Sequence, residues 1–174
     1  MVKNMGNAKQ PFVAILMGSD TDLPVMQSTL DVLHALGIST EVKITSAHRT
    51  PERTHAYVKD ADTRGCAVFI AAAGLAAHLA GTVAGLTMKP VIGVPMEGGP
   101  LNGMDALLAT VQMPGGVPVA CMAIGKAGAK NAGYLAAQIL AIHDAALAER
   151  VRANRAATAE AIAEKDKQLN KRVR

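Results

Sequence analysis

Short apolar runs and helical stripes alternate along this chain. Phe12–Met17 (FVAILM) is a continuous apolar run, as expected for a strand buried on both faces. Residues 23–36 then place Met26, Leu30 and Leu33 on one helical stripe, with Gly37 at the expected C-cap. Residues 38–45 alternate: Ile38, Val42 and Ile44 point one way, Glu41 and Lys43 the other, which predicts a second strand. Thr50-Pro51 fits the N-cap and first position of a helix running to about Arg64 and closed by Gly65. Residues 66–72 (CAVFIAA) read as a third strand. Gly74 opens a loop into an Ala-rich helix predicted to reach about Leu86. Residues 91–94 form a short fourth strand ended by Pro95. After a Gly/Pro loop over 96–103, a short helix covers 105–111 and a turn 112–116. Residues 117–123 read as the fifth strand, with Pro118 marking an edge or bulge position. A helix over 131–143 and a polar helix from about Ala145 finish the chain.

Strands that alternate with helices predict an α/β fold: a parallel sheet of about five strands, helices on both faces, and a C-terminal helical tail. At 174 residues the chain suits one such domain. The expected limits are a flexible N-terminus over 1–11, the α/β domain over 12–145 and a basic helical tail over 146–174. Ligands of such sheets bind outside the carboxyl ends of the strands, near a topological switch point. That rule selects four loops: 18–22, 46–51, 73–78 and 95–103.

Composition narrows the ligand. Half the residues are apolar and 18% are charged, so a core is available. Two Phe, two Tyr and no Trp leave no platform for stacking nucleic-acid bases. The formal charge of +4 is unevenly spread. Residues 150–174 hold eight of the 18 Lys and Arg against three of the 14 Asp and Glu, a net +5, and the rest of the chain carries −1. The tail interleaves Glu160, Glu164 and Asp166 with its basic residues and has no aromatics, so it reads as a solvated helix rather than a nucleic-acid arm. Cys66 and Cys121 lie in apolar runs without disulfide or zinc spacing, the pattern of small core residues in a reducing compartment. The first ten residues are polar and lack a secretory h-region. The uncharged stretch 66–88 is interrupted by Gly74, His78, Gly81 and Gly85, so no membrane span is expected and the location read is cytoplasmic.

Three of the loops carry chemistry. Ser19, Thr21 and Asp22 follow Gly18 at a helix start, where N–H groups and the helix dipole favour a phosphate. An Asp so close suits a hydroxyl pair such as a ribose diol, and plain N-capping is the competing reading. No dinucleotide or P-loop pattern is present. In the second loop Arg49 can fork onto phosphate and His48 can move protons near neutrality; a surface His beside a solvated Arg is the alternative. In the third, small residues and Gly74 let a flat ligand approach the backbone, with His78 four positions on, or else form a core helix with one satisfied His. His34, His55 and His143 are given no role. Asp20, Asp22 and Glu97 form no clear acid–base pair, and neither zinc spacing nor a G-x-S-x-G elbow occurs.

Taken in order, MGSDTDLPVM, SAHRTPER, AGLAAHLAG, PVIGVP, LNGMDALL, VQMPGGVPVA and AIGKAGAKNAGYLAAQIL resemble the bacterial N5-carboxyaminoimidazole ribonucleotide mutases of de novo purine synthesis. The resemblance spans roughly residues 12–145. It implies a three-layer flavodoxin-like fold, an octamer with sites between subunits, and an isomerase that needs no metal or other cofactor. It implies that Ser19, Asp22 and Arg49 hold phosphate and ribose. Ser46, Ala73, Gly74 and His78 would line the pocket for the imidazole and carboxylate, and His48 would be the general acid/base. Direct carboxylation of aminoimidazole ribonucleotide with CO2 is the alternative reaction, and a non-catalytic nucleotide-binding module the more remote one. Arg49 and the AAHLAG run favour the mutase branch. The family commonly reads AGGAAHLPG where this chain has Leu75 and Ala80.

Overall fold

The computed structural model describes residues 11–173, so the flexible N-terminus expected over 1–11 lies almost wholly outside the described residues. The chain divides into two compact units between Ala136 and Ala137. In the first, β1 (Phe12–Met17), β2 (Ser39–Ile44), β3 (Cys66–Ala73), β4 (Val91–Pro95) and β5 (Ala120–Cys121) form one sheet in the order β2-β1-β3-β4-β5. Every pairing is parallel. The helices are α1 (Leu23–Ala35), α2 (Pro51–Arg64), α3 (Leu79–Ala84), α4 (Met104–Val111), α5 (Lys126–Ala141) and α6 (Ala145–Arg172).

The pleat sorts the core into two layers. Phe12, Ala14 and Leu16 of β1 join Phe69 and Ala71 of β3 in a cluster closed by Val58 and Ala61 of α2 and Leu79, Ala80 and Val83 of α3. The intervening Val13, Ile15 and Met17 are equally buried and point to the opposite face. There α1 and α5 meet closely: the Thr29 hydroxyl donates to the Ala129 carbonyl at 2.6 Å, and a Cβ on Gly133 would stand 3.0 Å from Val32 Cβ. The result is the three-layer flavodoxin-like arrangement, with its switch point between β1 and β3.

Three elements differ from the sequence expectation. The fifth strand is only Ala120–Cys121. Pro118 has no N–H for the ladder, and the Val117 N–H turns back onto the Pro114 carbonyl at 3.2 Å. The third helix is Leu79–Ala84, because Leu75 adopts φ 54 and breaks the helical path before His78. The helix expected over 131–143 begins earlier, at Lys126, and stops at Ala141. On the edge strand β2, Val42 and Ile44 share a face as the alternation predicts, and that face is exposed.

The second unit is dominated by α6. Asp144 caps it, its carboxylate accepting from the Leu147 N–H at 2.9 Å. Beyond its first turns the helix is exposed along its length, in keeping with the solvated tail expected from the charge pattern. Among the described residues no helix is long and apolar enough to cross a membrane.

Candidate active site

Loops from three neighbouring strands meet at the switch point. Gly18 and Ser19 follow β1, residues 46–49 follow β2, and residues 74–78 follow β3, which ends at Ala73. Each start is pinned to the sheet. The Gly18 N–H donates to the Ala72 carbonyl at 3.0 Å, and the Thr45 N–H to the Met17 carbonyl at 2.9 Å. Together the loops wall a cavity of about 540 Å³, within the range usual for small-molecule sites. All eight residues singled out from the sequence, Ser19, Asp22, Ser46, His48, Arg49, Ala73, Gly74 and His78, line it. The fourth loop selected by the strand-end rule does not reach the wall. It touches the site through Gly99, where a Cβ would stand 2.5 Å from Leu75 Cδ2.

The first loop is a capped 3₁₀ turn, Asp20–Asp22. The Thr21 N–H donates to Ser19 Oγ at 3.3 Å, and the Ser19 N–H to Asp22 Oδ2 at 3.1 Å, a reciprocal capping box. Capping is therefore one role that Ser19 and Asp22 fill. Burial pushes the Asp22 carboxyl above its ordinary value, and the N–H groups of Ser19 and Gly18 partly oppose that rise. Such a carboxylate gains from a hydroxyl donor that reaches it.

The second loop is organised by Ser46. Its Oγ accepts from the His48 N–H at 3.3 Å and the Arg49 N–H at 3.1 Å. The Arg49 guanidinium crosses the mouth of the cavity, Nη2 donating to the Gly18 carbonyl at 3.3 Å. That bond is single, exposed and easily exchanged for a phosphate oxygen.

The third loop brings His78 against His48. Nε2 of His48 lies 2.8 Å from Nδ1 of His78, and the rings meet edge to face with centroids 4.9 Å apart. One ring nitrogen must donate and the other accept, so the contact is a ready path for one proton between two side chains 30 residues apart in sequence. Among the described residues no group of three or more His, Cys, Asp and Glu is gathered as for a metal ion.

Gly18, Ala47 and Ala76, inside the loops selected from the sequence but given no site role there, and Leu79, outside them, complete the wall. Their apolar or small side chains give no chemical signal. Leu75 also lines the cavity, 55% exposed and in the left-handed region at φ 54. The usual Gly of the resembling sequences is the signal that marks this position.

Fold and cavity together define a flavodoxin-like α/β protein with a cavity lined by two histidines and an arginine at the switch point of its sheet. The chain belongs to the AIR carboxylase family, whose model matches residues 12–161. It is 51% identical over 160 residues to the N5-carboxyaminoimidazole ribonucleotide mutase of Bacillus subtilis, covering 92% of this chain and 99% of that one. Identity to the mutase of the same name from Thermotoga maritima is 55% over 142 residues, 82% of each chain. The crystal structure of Treponema denticola PurE superposes with a TM-score of 0.83 at 30% identity, over 92% of this chain and 99% of that one.

Proposed function

We propose that this chain interconverts N5-carboxyaminoimidazole ribonucleotide and 4-carboxy-5-aminoimidazole ribonucleotide in de novo purine synthesis, with His48 as its general acid/base. The chain is an isomerase by its family and its curated relatives, which are mutases. The observation that carries the residue roles is the convergence of His48, His78 and Arg49 on one cavity at the switch point.

The chemistry needs one mobile proton. The carboxyl group leaves the exocyclic nitrogen as CO2, and protonated His48 donates to that nitrogen as the N–C bond breaks. Ring carbon C4 then attacks the CO2. Neutral His48 removes the C4 proton, which restores the aromatic ring and returns His48 to its starting state. Atoms and charge balance without a cofactor. Acid–base catalysis of this kind contributes ~10²–10⁴-fold. Retaining CO2 beside C4, among Ala73, Gly74 and Ala76, adds a proximity contribution. Arg49 and the Ser19–Asp22 turn hold the phosphate and ribose, and Ser46 and His78 face the imidazole and carboxylate.

The protein acts in the cytoplasm as an octamer. Leu101, Met104, Leu108 and Val111 form an exposed apolar stripe at helical spacing on and before α4, which supports burial against a neighbouring copy. Light scattering tests this: a clean species at the 18.0 kDa of one chain contradicts it.

The deciding assay offers purified protein either N5-carboxyaminoimidazole ribonucleotide or aminoimidazole ribonucleotide with bicarbonate, without ATP, and follows product by ultraviolet absorbance. Turnover of the first substrate and loss of turnover, with ligand still bound, in His48→Asn are the expected results. Turnover only of the second makes the chain a direct carboxylase, no turnover of either favours a binding module, and full activity in His48→Asn removes the role given to that residue.

A further inference from the structure

Behind the His48 loop lies a cluster of hydroxyls that no step of the reaction uses. Thr45 and Thr54 are buried, and Thr54 is fully inaccessible. Their Oγ1 atoms are 2.7 Å apart, and Thr45 Oγ1 is 3.3 Å from Thr50 Oγ1. Thr50 works on both polar groups of one residue. Its Oγ1 accepts from the Ser46 N–H at 2.9 Å and donates to the Ser46 carbonyl at 3.2 Å. The Thr50 N–H reaches that same carbonyl at 3.0 Å.

The proton count is self-consistent. Thr50 gives its hydroxyl proton to the Ser46 carbonyl. Thr54 gives its own to the Thr50 carbonyl, 3.2 Å away. Thr45 gives its own to Thr54 Oγ1. Three hydroxyls and three acceptors are then matched, and no buried side-chain polar atom among the described residues lacks a partner. Thr45 is in turn fixed to the end of β1 through the Met17 carbonyl. The sequence of contacts therefore runs from the sheet to Thr45, Thr54 and Thr50, then to the Ser46 backbone, and from Ser46 Oγ to the amides of His48 and Arg49.

Resting on the reading of His48 and Arg49 as functional groups, we infer that Thr50, backed by Thr45 and Thr54, is a positioning residue that sets both side chains over the cavity. The loop closes between residues 46 and 50 through the Thr50 N–H and both bonds of the Thr50 hydroxyl, and the hydroxyl alone satisfies the Ser46 N–H. A Val in its place keeps the shape and the backbone bond and removes the two hydroxyl bonds. The Ser46 N–H, in a half-buried setting, then has no acceptor, and the loop shifts to find one. A displacement of ~1 Å at a catalytic group costs up to ~10²-fold in rate.

The test compares Thr50→Val and Thr50→Ser in the full chain. Thr50→Val is expected to lower kcat/KM by ~10–100-fold, with the loss shared between kcat (His48) and KM (Arg49). Amide hydrogen exchange at His48 and Arg49 should speed up, while exchange at Val58 and Ala61 in α2 stays unchanged. Thr50→Ser should restore both readouts. Wild-type kinetics and exchange in Thr50→Val, or an equal loss in Thr50→Ser, overturn the inference. Should Thr50→Val fail to fold, Thr50→Ala supplies the same comparison. Absence of mutase turnover in the wild type defeats the proposed function instead, and the exchange measurements still decide the positioning role.

Discussion

His48 Nε2 and His78 Nδ1 share one hydrogen bond of 2.8 Å. Because one nitrogen accepts, the two rings cannot both be doubly protonated while the bond stands. A proton passed along that bond exchanges the donor and acceptor roles of the two rings. This fits a reaction in which one proton is given and then taken back.

His78 is expected to act through His48 as well as line the pocket. His78→Asn should lower kcat by less than the ~10²–10⁴-fold assigned to loss of His48. The double variant should fall no further than His48→Asn alone, because groups that act together lose their effects non-additively. Steady-state kinetics of the three variants check this, and a double variant that multiplies the two losses shows independent roles.

Leu75 holds a conformation that disfavours its side chain. The left-handed region costs an L-residue ~1–2 kcal/mol, while Gly loses ~0.4–1 kcal/mol more on folding through its freer unfolded chain. Leu75→Gly should thus raise stability by about 0.5–1 kcal/mol, read as a higher midpoint of thermal unfolding. A lower midpoint would show that the Leu75 contact over Gly99 outweighs the backbone strain. In the Leu75→Gly background, Gly99→Ala should cost less than in the wild type, because the atom 2.5 Å from the added Cβ is gone.

Glu41 links β2 to α2. Hydrogen bonding to the Arg64 guanidinium holds its carboxyl below the ordinary value of 4.5, with a smaller contribution from the Tyr57 hydroxyl. A carboxyl lowered by folding stabilises the protein above its unfolded pKa and loses that contribution as pH falls through the folded one. Glu41→Gln should cost ~0.5–1 kcal/mol at neutral pH and little in acid below both values. Urea unfolding at the two pH extremes reads the difference. An equal cost at both assigns the effect to packing.

The two thiols should separate chemically. Burial pushes the Cys66 thiol up to about 11, and its side chain is enclosed. Cys121 is partly exposed, with burial raising its thiol as well. A thiol reagent at about pH 8 should label Cys121 first and Cys66 only after unfolding. Mass spectrometry of the native digest checks the order.

The loops were legible because each follows an apolar run and carries polar residues that a connection alone does not need. Their meeting was not, since the bond between His48 and His78 is a product of strand order and sequence spacing carries no trace of it. The third helix was overread because an Ala-rich segment has high helix propensity, while the backbone at Leu75 is bent to form the cavity wall. The fifth strand was overread because Val117 and Val119 suit a strand, and Pro118 limits the ladder more than their preference extends it. Thr45 and Thr54 raised no signal and Thr50 read only as a helix cap, because hydroxyls that satisfy one another look like ordinary helix and strand residues until the fold gathers them.

The position of β2 at the sheet edge gives the cavity two unlike walls. Gly18, Ala73 and Gly74 hang from β1 and β3, which have neighbours on both sides. His48 and Arg49 hang from a strand paired on one side only. Local opening is cheapest where pairing is fewest, so the wall that bears His48 and Arg49 owes to the contacts of Thr45, Thr50 and Thr54 the rigidity that two flanking strands give the other.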